Sequence, residues 1–265
     1  MLPLIVEPEE LEPHLDDEDL LLIDLCSAQS YASGHLPGAV HIPTTALVSG
    51  EKPATGKLPE AQRLESLFSS IGYTKDKQIV AYDDEGGGWA GRFIWTLDVI
   101  GHSNNSYVNG GLCAWKAANL KVTREQPLVT PTQVDLELDP ACIADKEDVL
   151  AAIGNPDTLL WDARSSEEFD GSSVFANRGG HIPGAINLDW LDTMDRQNSL
   201  KLVADMQALL DSRGIAADKS IITYCQTHHR SGLTYLIGKM LGYRIRAYHG
   251  SWSEWGNDPD TPVEI

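Results

Sequence analysis

The sequence predicts an α/β protein built as two tandem domains, each a mostly parallel sheet flanked by helices. Three observations carry that reading. Most of the 265 residues form an internal repeat. Within each copy, short β-rich runs alternate with helical patterns, the signature of a sheet covered by helices. Finally, Cys225 stands at the end of one such run, where parallel sheets collect their ligands.

The repeat is read from four ordered matches. Leu21-Leu22-Ile23-Asp24 returns as Leu159-Leu160-Trp161-Asp162, and Gly34-His35-Leu36-Pro37-Gly38-Ala39 as Gly180-His181-Ile182-Pro183-Gly184-Ala185. Ile79-Val80-Ala81-Tyr82-Asp83 returns as Ile221-Ile222-Thr223-Tyr224-Cys225, and Asn109-Gly110-Gly111-Leu112-Cys113-Ala114-Trp115 as His249-Gly250-Ser251-Trp252-Ser253-Glu254-Trp255. The separations are all roughly 140 residues and differ by short insertions, such as the one at 171–178. A period that long means two domains, not a solenoid. The expected division is a first domain over 1–122, a linker over 123–140 and a second domain over 141–265. Pro127, Pro131 and Pro140 and the loss of helical periodicity suit an extended crossover there.

In the second copy the runs predict strands over Thr158–Asp162, Ala185–Leu188, Ser220–Tyr224 and Arg244–Tyr248. Helices are expected over Lys146–Ile153, Leu200–Arg213 and Gly232–Leu241, with a short one at Ser251–Trp255.

Composition narrows the class of function. Hydrophobic residues make up 42% of the chain, enough for packed cores. No apolar run approaches the roughly 20 residues that span a bilayer. The start, Met1-Leu2-Pro3-Leu4-Ile5-Val6-Glu7, lacks the basic and long apolar segments of a signal peptide, so the cytoplasm is expected. The net charge of −19, from 39 acidic against 20 basic residues, excludes nucleic acid and anionic membranes as natural partners. A monomer is expected. The four cysteines, Cys26, Cys113, Cys142 and Cys225, form no C-x-x-C pair, and neither a zinc ribbon nor a disulfide framework follows from them. Cys26 and Cys113 sit in apolar contexts and read as buried thiols.

Cys225 reads differently. Gln226-Thr227-His228-His229-Arg230-Ser231-Gly232 follows it, and then a helical run to Leu241. A strand-to-helix turn aims backbone N–H groups and a helix N-terminus at the sulfur. That lowers a thiol pKa from about 8.5 toward neutrality and makes a cradle for an anion. Arg230 adds fixed positive charge, Thr227 and Ser231 add hydroxyls, and His228 and His229 titrate near neutral pH. The expectation is a reactive thiolate that handles an anionic group.

These residues resemble the rhodanese family of sulfurtransferases in its tandem-domain form. Tyr31 to Ala39 looks like the family's first signature, and Ala247 to Trp255 like its C-terminal one, with His249 where an acidic residue is usual. Asp162-Ala163-Arg164 looks like the strand-end Asp-x-Arg of the catalytic domain. The resemblance implies a persulfide relay. Thiosulfate would give its outer sulfur to Cys225, and a thiophilic acceptor, cyanide in the usual assay, would remove it. No cofactor and no metal are implied. The resemblance also implies a silent first domain, and Asp83 in the place of Cys225 agrees, because a carboxylate cannot carry sulfane sulfur.

The loop departs from both familiar patterns. Thiosulfate-using members carry Arg and Lys and then Gly-Val-Thr after the cysteine; those preferring mercaptopyruvate carry Gly-Ser-Gly-Val-Thr. Here Gln226-Thr227-His228-His229-Arg230 resembles a bacterial subgroup usually called thiosulfate sulfurtransferases. The position of a second basic residue in thiosulfate-using members falls at Glu168. Thiosulfate is the expected donor, with 3-mercaptopyruvate, or delivery of persulfide to a protein acceptor, as alternatives.

Blander readings stand beside several of these residues. Cys225 could be a structural thiol, and Arg230 a loop arginine paired with a carboxylate. The strand-turn-helix context favours an active-site role for both. Adjacent histidines point in different directions and no third ligand is spaced for zinc, so His228 and His229 line the loop. His35 and His181 precede Pro-Gly-Ala in both copies and read as structural. Asp162 would orient Arg164 and the loop, although the mirrored Asp24 suggests structure first. Trp190 is either a wall of the pocket or a core residue. Gly86-Gly87-Gly88 lacks the ending of a phosphate loop and reads as the flexible counterpart of the catalytic turn. A cysteine phosphatase would need C-x5-R, but Ser231 occupies the position of that arginine. A non-enzymatic regulatory module is disfavoured by the retained cysteine.

Overall fold

A computed structural model describes all residues 1–265. It contains two five-stranded sheets, each in its own compact unit, and every neighbouring pair of strands within them is parallel.

In the first unit the strands are β1 (Ile5–Val6), β2 (Leu20–Asp24), β3 (Val40–His41), β4 (Gln78–Tyr82) and β5 (Asn105–Val108). The intervening helices are α1 (Pro8–Leu11), α2 (Ala28–Ser33), α3 (Ala61–Ser70) and α4 (Gly88–Val99), and α5 (Gly111–Ala117) follows β5. The sheet order is β1-β5-β4-β2-β3. Ile79, Val80, Ala81 and Tyr82 are all buried, as a central parallel strand covered on both faces requires. The core gathers Leu22, Val80, Val108, Leu112 and Trp115.

The second unit repeats the plan. Its strands are β6 (Ile143–Ala144), β7 (Thr158–Asp162), β8 (Ile186–Asn187), β11 (Ser220–Tyr224) and β12 (Arg244–Tyr248), in the order β6-β12-β11-β7-β8. Its helices are α6 (Lys146–Ala152), α7 (Ser166–Phe169), α8 (Met206–Ser212), α9 (Arg230–Met240) and α10 (Ser251–Trp255). Leu160, Ile222, Tyr248, Trp252 and Trp255 form its core. The β11 and β7 strands run in register, with Tyr224 opposite Asp162, as Tyr82 lies opposite Asp24 in the first unit. Within each sheet the two paired central strands therefore end level, where the loop after β4 or after β11 begins.

One expected helix is shorter than its sequence pattern. Instead of Leu200–Arg213, α8 starts at Met206, because the Asp205 side chain accepts the Ala208 N–H at 3.0 Å and caps it there. The residues before it are drawn into an antiparallel hairpin, β9 (Met194–Asp195) with β10 (Lys201–Leu202). At the turn after β11 the opposite holds: α9 begins at Arg230, two residues ahead of the expected Gly232. Cys26 is buried as expected, whereas Cys113 is half-buried.

The two units do not follow a single cut through the chain. Residues 48–58 pack in the second unit, and the hairpin residues 194–202 pack in the first. Residues 123–139 also belong to the first unit. They run without regular secondary structure but are docked: Thr123 bridges His35, Thr132 donates to Ser69 O at 3.1 Å, and Asp139 donates to Val99 O at 2.7 Å. No helix is long and apolar enough to cross a membrane.

Candidate active site

Cys225 follows the last residue of β11 and is 1% exposed. The next four residues turn the chain into α9. His228 takes a positive φ of 53°, which bends the loop back toward the sulfur, and its buried ring meets Ser231 Oγ through Nδ1 at 2.7 Å. Ser231 Oγ lies 3.5 Å from Cys225 Sγ and donates to it. Outside the loop, Trp252 N donates to Cys225 O and Ser253 N to Gln226 O, each at 2.9 Å. The first turn of α10 therefore holds the loop by its carbonyls. Gln226 is tied further by its amide, which donates to Phe175 O at 3.1 Å. Trp190 is buried against the His229 ring, with centroids 5.6 Å apart, so it forms part of the wall beside the loop.

Burial pushes the Cys225 thiol up, but the Arg230 charge, the Ser231 hydroxyl and N–H, and His229 together bring it below the ordinary thiol value. The other two thiols with a resolved shift go the other way. Burial and nearby carboxylates raise Cys26 and Cys113. Of these three, only Cys225 has surroundings that favour the thiolate.

Arg230 is not a free cation. Glu168 holds it with a fork of two bonds, Nη1 to Oε2 at 2.5 Å and Nη2 to Oε1 at 2.9 Å. Glu168 is itself 5% exposed. Burial pushes its carboxyl up, but Arg230, Arg164 and the Ser165 N–H together hold it below the usual range. The carboxylate also closes a capping box on α7: the Ser165 side chain accepts the Glu168 N–H, and Glu168 accepts the Ser165 N–H. By resemblance alone Glu168 is only the place of an absent basic residue. The Ser165-x-x-Glu168 box, two residues after Ala163, was the signal that fixes its place.

Asp162 and Arg164 form a buried pair beneath this layer. Asp162 accepts from the Arg164 backbone N–H at 2.9 Å and from its guanidinium at 2.6–3.0 Å. Arg164 also donates to Gly180 O at 2.8 Å and lies 4.4 Å over the Trp252 ring. With its guanidinium held by Asp162, Gly180 O and the Trp252 ring, and with 1% exposure, Arg164 is bound into the scaffold. His35 and His181 likewise sit in packing positions, stacked on Tyr31 and Phe169 and bridged to Thr123 and Glu264.

In the first unit the corresponding loop holds Asp83. Its Oδ1 accepts from the N–H groups of Glu85, Gly86 and Gly87 at 3.2, 3.1 and 2.8 Å, and Oδ2 from Ala90 at 3.0 Å. Four convergent backbone donors on one anionic group show what this loop geometry is: an anion cradle.

The rhodanese-like domain model matches residues 7–118 and again 145–258. The chain belongs to the rhodanese family. It is 49% identical over 265 residues to the thiosulfate sulfurtransferase of Azotobacter vinelandii, covering 100% of this chain and 98% of that one. It is 29% identical over 268 residues to the 3-mercaptopyruvate sulfurtransferase of Escherichia coli K12, with 96% and 95% covered. Its fold superposes, with a TM-score of 0.84 and 22% identity, on the anaerobic ergothioneine biosynthesis enzyme from Chlorobium limicola in complex with natural substrate trimethyl histidine. That match covers 99% of this chain and 70% of the other.

Proposed function

We propose that this rhodanese-family protein is a thiosulfate sulfurtransferase that carries sulfane sulfur on Cys225. The observation that carries the reading is the favoured thiolate of Cys225 beside Ser231 Oγ at 3.5 Å. In the first half-reaction the thiolate attacks the outer sulfur of thiosulfate. A Cys225–sulfur bond forms, the sulfur–sulfonate bond breaks, and sulfite leaves with the electron pair. In the second, cyanide or another thiophile attacks the outer sulfur and the thiolate leaves. No external oxidant or reductant enters.

The loop N–H groups and the Ser231 hydroxyl would donate to the anionic sulfur, as the N–H groups of the corresponding loop in the first unit donate to the Asp83 carboxyl. Gln226, Thr227, His228 and His229 would line the donor's place and Trp190 its wall. Arg230, neutralised in part by Glu168, would act mainly on the charge of the sulfur, while Asp162 and Arg164 support the loop. The first domain, with Asp83, would carry no sulfur. The cytoplasm suits four free cysteines. We favour a monomer with a small-molecule donor and acceptor, with delivery to a protein thiol as a compatible extension.

A donor panel tests the reading. Thiosulfate should add one sulfur atom to the reduced protein, seen by intact mass, mapped to the Cys225 peptide and removed by cyanide. Labelling at Cys26 or Cys113, or a higher kcat/KM with mercaptopyruvate than with thiosulfate, would overturn it.

A further inference from the structure

The segment 48–58 forms a strap over the catalytic loop. It folds on itself through Ser49 N to Lys57 O at 2.8 Å and Gly50 N to Thr55 O at 3.0 Å. Two attachments fix its end. Lys57 Nζ meets Glu254 Oε1 at 2.5 Å, and Leu58 N donates to His249 Nδ1 at 3.1 Å. It also comes against the loop itself. A Cβ placed on Gly56 would lie 1.9 Å from Thr227 O and 2.5 Å from the Thr227 carbonyl carbon. Gly56 has no positive φ to explain the glycine, so close approach to the loop backbone is the reason for it.

Peptide geometry gives that contact a consequence. The carbonyl of one residue and the N–H of the next belong to one plane and point in opposite directions. Trp252 and Ser253 hold the carbonyls of Cys225 and Gln226 outward, and Gly56 backs the carbonyl of Thr227. Three successive peptides are thereby set from outside, the last of which aims the His228 N–H. Its counterpart in the first unit is the Gly86 N–H, which donates to Asp83.

The first unit repeats the device with its own strap, 194–202. Lys201 Nζ meets Glu7 Oε2 at 2.7 Å, and Leu202 N donates to Asn109 Oδ1 at 2.8 Å. Asn109 stands where the second unit has His249, and Lys201-Leu202 matches Lys57-Leu58. Asn Oδ1 and His Nδ1 lie at the same remove from the backbone. Both present a lone pair to a strap N–H, which sets the neutral His249 ring with its proton on Nε2.

We propose that His249 is a positioning residue for sulfur transfer, tying down the strap so that Gly56 stays seated on Thr227 and the catalytic cradle keeps its shape. This rests on the sulfurtransferase reading for its activity assay, but a second readout is independent of it: the pH midpoint of Cys225 alkylation. His249→Leu should lower kcat for thiosulfate by about tenfold, the equivalent of roughly 1.4 kcal/mol from one lost hydrogen bond passed on to the cradle. It should also move the alkylation midpoint up, toward that of a free thiol. His249→Asn, which restores the acceptor of the first unit, should return both to within about threefold and a few tenths of a unit of wild type. Gly56→Ala should reproduce the Leu phenotype without touching His249. Wild-type values in His249→Leu, or an Asn variant as impaired as the Leu variant, would overturn the proposal. Should wild type show no thiosulfate activity, the functional reading fails, while the alkylation midpoints still decide the role of His249.

Discussion

The turn after β4 and the turn after β11 are the same structure put to different electrostatic uses. After β4, backbone N–H groups converge on Asp83, with Glu85, Gly86 and Gly87 around it. Burial, then the nearby Glu85 charge, push the Asp83 carboxyl up to about 6. After β11, Thr227, His228 and His229 take those three places, and Arg230 opens the helix. There the thiol is moved down, against burial, by Arg230, Ser231 and His229. The fold supplies the cradle in both units. The side chains around it go with a raised carboxyl in one unit and a lowered thiol in the other.

The largest effect should come from exchanging the occupants. Cys225→Asp gives the second unit the residue of the first, and the cradle already shown to hold a carboxylate should hold this one. Sulfur transfer should vanish with the fold intact, measured by thiocyanate formation and circular dichroism. The reverse exchange, Asp83→Cys, should create no second sulfur carrier. Its thiol would have acidic Asp84 and Glu85 as neighbours and no counterpart of Arg230. A Cys225→Ala/Asp83→Cys protein that takes up sulfur from thiosulfate would show that the cradle alone is enough.

Next comes Arg230. Its removal takes away positive charge and also strands the buried Glu168 carboxylate. A charge-assisted hydrogen bond is worth about 1.5–3 kcal/mol, so Arg230→Ala should lower kcat/KM for thiosulfate roughly ten- to hundredfold. Arg230→Ala/Glu168→Gln separates the two contributions. If Arg230 acts through the field at Cys225, removing the stranded carboxylate should recover part of the loss. If Arg230 grips the donor directly, the double variant should be as poor as the single one.

Much of this was legible in the residues, for identifiable physical reasons. The strands Thr158–Asp162, Ser220–Tyr224 and Arg244–Tyr248 fall where their apolar runs place them, because a strand inside a parallel sheet must be apolar along its length. Cys225 was recognisable because strand, turn and helix meet there. The straps were not legible. Their anchors are two short dipeptides, Lys57-Leu58 and Lys201-Leu202, carried in the half of the sequence opposite to the unit they serve. The Arg230–Glu168 fork was hidden for a related reason: its partners stand 62 residues apart, and only the fold brings β7 and β11 side by side. Local pattern reports what a segment is, while such pairings depend on where two segments arrive.

The smallest effect is a slope rather than a loss, and it tests whether the Asp83 cradle is an electrostatic burden. A carboxyl whose pKa is about 6 in the folded unit and about 3.9 in an unfolded chain binds its proton more tightly when folded. Its contribution is therefore most favourable below the unfolded value. It declines as pH rises from about 4 to 6, and stays at its lower level above that window. Asp83→Asn carries no titrating proton and abolishes this component, though its amide nitrogen would face one N–H donor and so cost about 1 kcal/mol at every pH. The informative quantity is the difference in unfolding free energy between wild type and Asp83→Asn, from denaturant titrations, as a function of pH. The wild-type advantage should shrink between pH 4 and pH 6 by an amount on the order of 1–3 kcal/mol, and be flat from pH 7 to 8. An advantage that instead grows across that window would mean that the four N–H donors outweigh burial, and that Asp83 is held as a stabilised anion. The contrast with Cys225 would then lie in nucleophilicity alone and not in the sign of the shift.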